Sequence, residues 1–204
     1  QWPYKLRGAS MSRAPKGKVP YVQIGDEVMG DSGLIIGRLE AESGNELTSW
    51  LSPLQRAQDH LVRRTMEEGY YFVGLYLRWV KDAGFVVVAP EFRKFIPKAA
   101  AWAVIPMIRK KVRSAAHAQG IGRHSEAEVN QFGIADMTAI ATLLGDKPFM
   151  LGDKLALCDI TVFAFLESLL GPPIDSELKT FVLAQQNLIA FRQRMRAAYW
   201  SDLA

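Results

Sequence analysis

Two short runs of strand-forming residues, "YVQI" (21–24) and "EVM" (27–29), are separated only by Gly25-Asp26. That is the spacing of a two-residue hairpin turn. Asp31-Ser32 then opens a segment that places Leu34, Ile35, Ile36 and Leu39 on one helical face and leaves Arg38 and Glu40 outside. Ahead of the hairpin, "PYKLRG" (3–8) is strand-like and "ASMSRAPKGK" (9–18) reads as a loop. From residue 53 onward the period becomes helical. The pattern predicts helices over about 53–80, 91–118, 126–144, 160–170 and 187–200, with a short piece near 177–184. Pro53 and Pro90 sit near proposed starts, and Ser125 with Glu128 has the spacing of a reciprocal helix cap. The expected organisation is a strand-and-helix unit over 1–42, a linker over 43–52 and an all-helical unit over 53–204. Three short strands and one helix leave sheet edges open, so the first unit docks on the helices or lacks a piece.

Composition narrows the function classes. With 49% hydrophobic and 23% charged residues the chain is an ordinary soluble globular protein. Its net charge of +4 is too slight to argue for a nucleic-acid partner and fits attraction of small anions. A single cysteine, Cys158, excludes an internal disulfide and a Cys-based zinc site. Gln1-Trp2-Pro3-Tyr4-Lys5 has no signal-peptide character, and a cytoplasmic location is expected. The apolar run "FIPKAAAWAVIPMI" (95–108) is shorter than the roughly 20 residues of a membrane span and holds Lys98 and two prolines. It reads as a buried helix, so no transmembrane span is expected.

Few residues carry candidate chemistry. Val19-Pro20 leads into the first hairpin strand, either as a plain trans edge proline or as a cis bond that turns the Val19 backbone toward a ligand. Asp31-Ser32 can cap its helix. Equally, Asp31 can meet an ammonium while Ser32 and the helix N-terminus meet a carboxylate, the two charges of an amino-acid head group. Both readings stay open on the residues alone. "GIGRHSEAE" (120–128) lacks the third glycine of a dinucleotide loop and connects helices, with Arg123 and His124 either solvated or turned into a cleft. "RKKVR" (109–113) reads as a solvated face. His60, His117 and His124 have no metal-ligand spacing, so no metal is expected. No GxSxG elbow supports a serine nucleophile. Cys158, inside "LALCDITVFAFL", reads as a buried structural thiol.

"KVPYV" before a hairpin, "DS" opening the next helix and "KPFMLGDKLALCDITVFAFL" in the helical half together resemble the glutathione transferase superfamily. Within it, "APKGKVPYV", "AQGIGRH", "LLGDKPF" and "PPID" resemble the failed-axon-connections group, with its metaxin-like and cadmium-responsive relatives. The resemblance implies an α/β thioredoxin-like N-terminal domain, without its first strand and helix, and an all-α C-terminal domain. It implies glutathione as co-substrate and a hydrophobic electrophile as second substrate. Val19 would supply main-chain hydrogen bonds to the cysteinyl part, Pro20 would be cis, and Asp31 with Ser32 would hold the γ-glutamyl head group. Lys18 would approach the glycyl carboxylate. Trp102, Arg123 and His124 would shape the electrophile pocket, and a homodimer is the family expectation. Asp159 matches a buried acidic residue in a helix cap of the family, although Ala156 stands where a Ser or Thr would complete it. "WPYKLRG" matches the family's second strand, so about 30 residues would precede it. The catalytic residue is therefore unknown, and neither Tyr4 nor Ser10 is assigned that role. The implied function is conjugation of the glutathione thiolate to an electrophilic small molecule. The alternative is a non-catalytic, transferase-like scaffold for protein interaction or membrane-surface assembly.

Overall fold

A computed structural model of the chain describes residues 3–8 and 14–200. Gln1, Trp2, Ser10 and the Ala9–Arg13 part of the predicted loop lie outside the described residues. Contacts divide the chain into two units, residues 1–51 and residues 52–204.

In the first unit, strand β1 (Tyr21–Ile24) pairs antiparallel with β2 (Glu27–Gly30). The register Ile24↔Glu27 leaves Gly25-Asp26 as the turn, and Gly25 takes a φ of 59° that suits a residue without Cβ. Residues 3–8, predicted as a strand, form no strand: Tyr4 and Leu6 are exposed, and no described strand pairs with them. Helix α1 (Ser32–Glu42) follows at once. Its N-cap is Asp31, whose Oδ1 accepts the Leu34 N–H at 3.2 Å while its backbone holds φ at 86°.

The inward face of α1 differs from the periodic reading. Ile35 is buried as expected, but Leu34 is exposed and Glu40 is buried. The Glu40 carboxylate accepts the Leu47 N–H at 3.3 Å and the Thr48 hydroxyl at 3.0 Å. An apolar residue there would leave those donors unmet, so a charge takes an interior position.

The second unit begins with one long helical rod. It runs through α2 (Pro53–Arg64), a π-helical turn (Thr65–Tyr70), α3 (Tyr71–Leu75) and a second π-helical turn (Tyr76–Val80). Beyond it lie α4 (Asp82–Arg93), α5 (Lys98–Gln119), α6 (Glu126–Leu144), α7 (Leu157–Leu170), α8 (Glu177–Ala184) and α9 (Gln186–Tyr199). The predicted helix over 91–118 is corrected: two helices occupy 82–119, and Pro90 lies inside α4 rather than at a start. The chain breaks at 94–97 instead, where Pro97 precedes α5. Gly84 lets α4 fold back on the rod, because a Cβ there would stand 1.8 Å from the Leu77 carbonyl oxygen. α5 is only partly the buried helix that was expected. Ala101 and Ile105 are buried, yet Trp102 and Met107 face solvent. Among the described residues no helix is long and apolar enough to cross a membrane.

The core joins the rod's Met66, Tyr70 and Val73 to Met137 and Leu144 of α6, Val162 and Leu166 of α7, Leu178 of α8 and Phe191 of α9, all buried. The capping box of α6 forms as predicted: the Ser125 Oγ accepts the Glu128 N–H at 3.3 Å, and Glu128 accepts the Ser125 N–H at 2.8 Å. Arg109 corrects the reading of its basic run. It donates to the carbonyls of Trp79 at 3.0 Å and Val80 at 3.1 Å, pairs with Asp82, and lies 4.1 Å over the Phe85 ring. It closes the open end of the rod, where carbonyls would otherwise be orphaned.

At the start of α7 the fully buried Asp159 accepts the Ala156 N–H at 2.8 Å and the Met150 N–H at 2.7 Å. Ala156 offers no side-chain oxygen in return, so half of the reciprocal cap is absent and the carboxylate uses its spare oxygen on Met150. Cys158 is buried, and burial together with Asp159 and Asp59 pushes its thiol up, which makes it inert at neutral pH.

Burial pushes the Asp159 carboxyl up to about 6 from its ordinary 3.8, against the pull of the Met150 and Ala156 amides. The folded protein therefore binds a proton between pH 6 and 4 that the unfolded chain does not, and this contribution to stability is lost as pH rises through 6. Asp159→Asn is expected to destabilise by about 1–3 kcal/mol at pH 7 through one orphaned amide. The same variant removes a pH-dependent gain of about 1 kcal/mol between pH 7 and 5, read from denaturation of both proteins across that range. At Asp31, Ala and Gly both delete the cap, but only Ala keeps a Cβ at φ 86°. Asp31→Gly is therefore expected to be milder than Asp31→Ala by about 1 kcal/mol in hydrogen-exchange protection of the α1 amides.

Candidate functional site

The hairpin brings the predicted head-group residues to one end. Its register ends at the Tyr21–Gly30 pair, so Pro20 and Asp31 are the residues that directly adjoin the last paired positions of the two strands. The Val19–Pro20 peptide is cis. Proline has no N–H, so the strand's ladder ends there and the β edge opens beside the mouth of α1. Gly30 permits a second close approach: a Cβ on it would stand 3.0 Å from both the Cβ and the carbonyl oxygen of Pro15. The loop over 15–18, with exposed Lys16 and Lys18, is thereby held against the strand that ends at Gly30, next to Asp31.

The polar groups at this end have distinct tasks. Asp31 Oδ1 is engaged by the Leu34 N–H, whereas Oδ2 makes no hydrogen bond to a described residue. Ser32, the first residue of α1, is exposed. Its hydroxyl and the leading amides of the helix form a donor cluster on the positive end of the helix dipole. Arg38, six residues further along, is held by Glu27 at 3.1 Å and by Glu42, so it does not compete for Asp31. One acceptor carboxylate thus adjoins one set of donors, which is the arrangement a zwitterion needs.

The structure does not bring Trp102, Arg123 and His124 together. Trp102 lies in the second turn of α5 and is exposed, while Arg123 and His124 follow the far end of that helix. Seventeen residues of helix from Trp102 to Gln119 separate them by about 25 Å. Arg123 donates to the His117 carbonyl at 3.0 Å, fastening its own loop. The His124 ring packs edge-on to Phe132 at 5.0 Å, with its Nδ1 3.7 Å from a Glu128 oxygen. Each of the two supports local structure.

Sequence reasoning missed the cavity in the helical unit. A space of about 230 Å³ lies between the rod and α7, bordered by Tyr70, Gly74, Arg78, Trp79, Phe165 and Ser168. Trp102, Arg123 and His124 do not line it. The only signal in the sequence is that Tyr70, Gly74 and Arg78 recur every four residues and so share a helix face. Tyr70 alone reads as core. The two π-helical turns, whose wider hydrogen-bond spacing often marks functional positions, are invisible in a periodicity count.

Comparison with known proteins places the chain. Residues 1–84 match the family model for the glutathione S-transferase N-terminal domain, and residues 133–195 match that for the glutathione S-transferase C-terminal domain. Isoprene-epoxide–glutathione S-transferase of Rhodococcus sp. (strain AD45) is 33% identical over 198 residues, covering 91% of this chain and 79% of that protein. Failed axon connections of Drosophila melanogaster is 26% identical, and the match covers 93% of this chain but 48% of that longer protein. Metaxin-2 of Mus musculus is 25% identical, with 93% of this chain and 72% of that protein covered. No solved structure matches significantly. With a thioredoxin-like hairpin-and-helix unit followed by an all-helical unit, the chain belongs to the glutathione S-transferase family.

Proposed function

We propose that the chain binds glutathione through Val19–Pro20 and Asp31–Ser32 and conjugates its thiolate to an electrophilic small molecule. The observation that carries this reading is the convergence of a cis proline, a carboxylate with an oxygen to spare and a helix N-terminus at one end of the hairpin. The γ-glutamyl ammonium meets Asp31, and its carboxylate meets the Ser32 hydroxyl and the first amides of α1. The cysteinyl segment lies extended along the Val19 backbone, with Lys18 toward the glycyl carboxylate. In the reaction the sulfur forms a bond to an electrophilic carbon, and the displaced electron pair leaves on the departing group or, for an epoxide, on the opened oxygen, which is then protonated. The Rhodococcus relative is named for glutathione transfer to isoprene epoxide, which supports an electrophile of this kind. The reading assigns no residue of the chain to thiol activation.

A second reading, a non-catalytic scaffold, is favoured by the solvent-facing apolar residues Phe95, Trp102 and Met107, which are 85%, 78% and 63% exposed. Conjugation assays separate the two, since a scaffold can bind glutathione without forming product.

Calorimetry tests the binding site. The chain is expected to bind glutathione, and N-acetylation of its γ-glutamyl amine should weaken binding at least tenfold by deleting the charge that Asp31 meets. Asp31→Ala should weaken glutathione by a similar factor and abolish the discrimination between the two ligands, about 1.4 kcal/mol of lost pairing. Absence of glutathione binding, or an Asp31→Ala variant that still discriminates, overturns the proposal.

A further inference from the structure

The cavity beside the rod is bordered by Tyr70, whose hydroxyl has no partner, and by Arg78, which the fold engages through one nitrogen. Tyr70 is 2% exposed, and its hydroxyl is buried without a hydrogen-bond partner. Burial pushes that phenol well up, so it stays a neutral donor. Asp136 is the carboxylate whose charge acts on Tyr70, yet it does not bond to the hydroxyl. Arg78, four residues beyond Gly74 on the same face, sends Nη2 to the carbonyl and hydroxyl oxygens of Ser168. Its remaining N–H groups find no acceptor, and no carboxylate pairs with it, among the described residues. A guanidinium stays protonated in such a place, so it brings a positive charge that no described carboxylate bonds into a space whose other walls include Leu75, Phe165 and Leu169. Gly74 borders the same space, and a Cβ there would make ordinary contact with Arg78 Nη1 at 3.8 Å, so a larger side chain at this position extends into the cavity.

We propose that this cavity binds a small molecule made of one carboxylate on an apolar body, the carboxylate bridging the Arg78 guanidinium and the Tyr70 hydroxyl. One cation calls for a monoanion, since a phosphate dianion would bring excess charge into apolar walls. A guanidinium fork and a phenol match the oxygens of a carboxylate. The volume of about 230 Å³ falls below the roughly 300–1,000 Å³ of ligand pockets for drug-sized molecules, which points to a single ring or a short chain as the body. The site is built from residues of the helical unit and stands whether or not glutathione binds at Asp31–Ser32.

Calorimetry with 4-phenylbutyrate and its uncharged amide, on the full chain without glutathione, tests this. The acid is expected to bind at least tenfold more tightly than the amide. Arg78→Met should erase that preference, and Gly74→Leu, which fills the space but leaves the charge, should abolish binding of both. Tyr70→Phe should raise the melting temperature of the free protein, by removing an unmet hydroxyl, and shrink the further rise that the acid produces. Melting curves show which variants fold; if Arg78→Met does not, the acid–amide ratio on the unaltered chain and Tyr70→Phe decide the matter. Glutathione binding is measured on the same variants and is expected to be unchanged, so failure here is distinct from failure at the head-group site. No binding of the acid, equal binding of acid and amide, or undiminished binding to Gly74→Leu overturns the proposal.

Discussion

The helical unit depends on two buried carboxylates that meet at the start of α7. Asp159 holds the Met150 and Ala156 amides, and Asp59 of α2 accepts the Cys158 N–H at 2.8 Å while pairing with Arg63 at 2.9 Å. A carboxylate out of water is costly, and here each is matched by donors on both oxygens. The result fixes the N-terminus of α7 to the first helix of the rod across 99 residues of sequence. Everything farther along α7 inherits that placement. Phe165 and Ser168 face Tyr70 and Arg78 because the two helices are pinned at their N-terminal ends, and the cavity between them exists for the same reason.

The first unit solves a different problem. Asp31 must end a strand, start a helix and present a carboxylate, and it does so at a φ of 86° that a side chain disfavours. Asp tolerates this conformation better than most residues because its short side chain can bond to nearby amides, as it does with Leu34. Capping uses one oxygen, and no described residue bonds the other. The capping role therefore does not compete with the proposed binding role, and the two readings of the dipeptide are compatible.

Much of this was legible from residues in short-range patterns. The hairpin, the capping box at Ser125–Glu128, the start of α1 and the buried Cys158 all rest on local rules of turn chemistry, capping and hydropathy. What escaped depends on partners distant in sequence. Glu40 is buried because the Leu47 amide and Thr48 hydroxyl need it, and Arg109 is structural because the rod ends beside α5. Pro90 suggested a helix start, yet it sits in the last turn of α4, which ends at Arg93. At the head-group end, the motif order in the sequence implied the cis bond and the Asp-Ser pair. Trp102 stands apart from Arg123 and His124 because a continuous helix runs between them, which no local pattern disclosed.

The central claim is that the hairpin end at Val19–Pro20 and Asp31–Ser32 is a binding site for glutathione. Backbone amide shifts recorded by nuclear magnetic resonance during a glutathione titration test it most directly. The account predicts saturable changes concentrated at Val19 and at Asp31 through Leu34, with the amides around Tyr70 and Arg78 unmoved. Changes that leave residues 19 and 31–34 unaffected would contradict it.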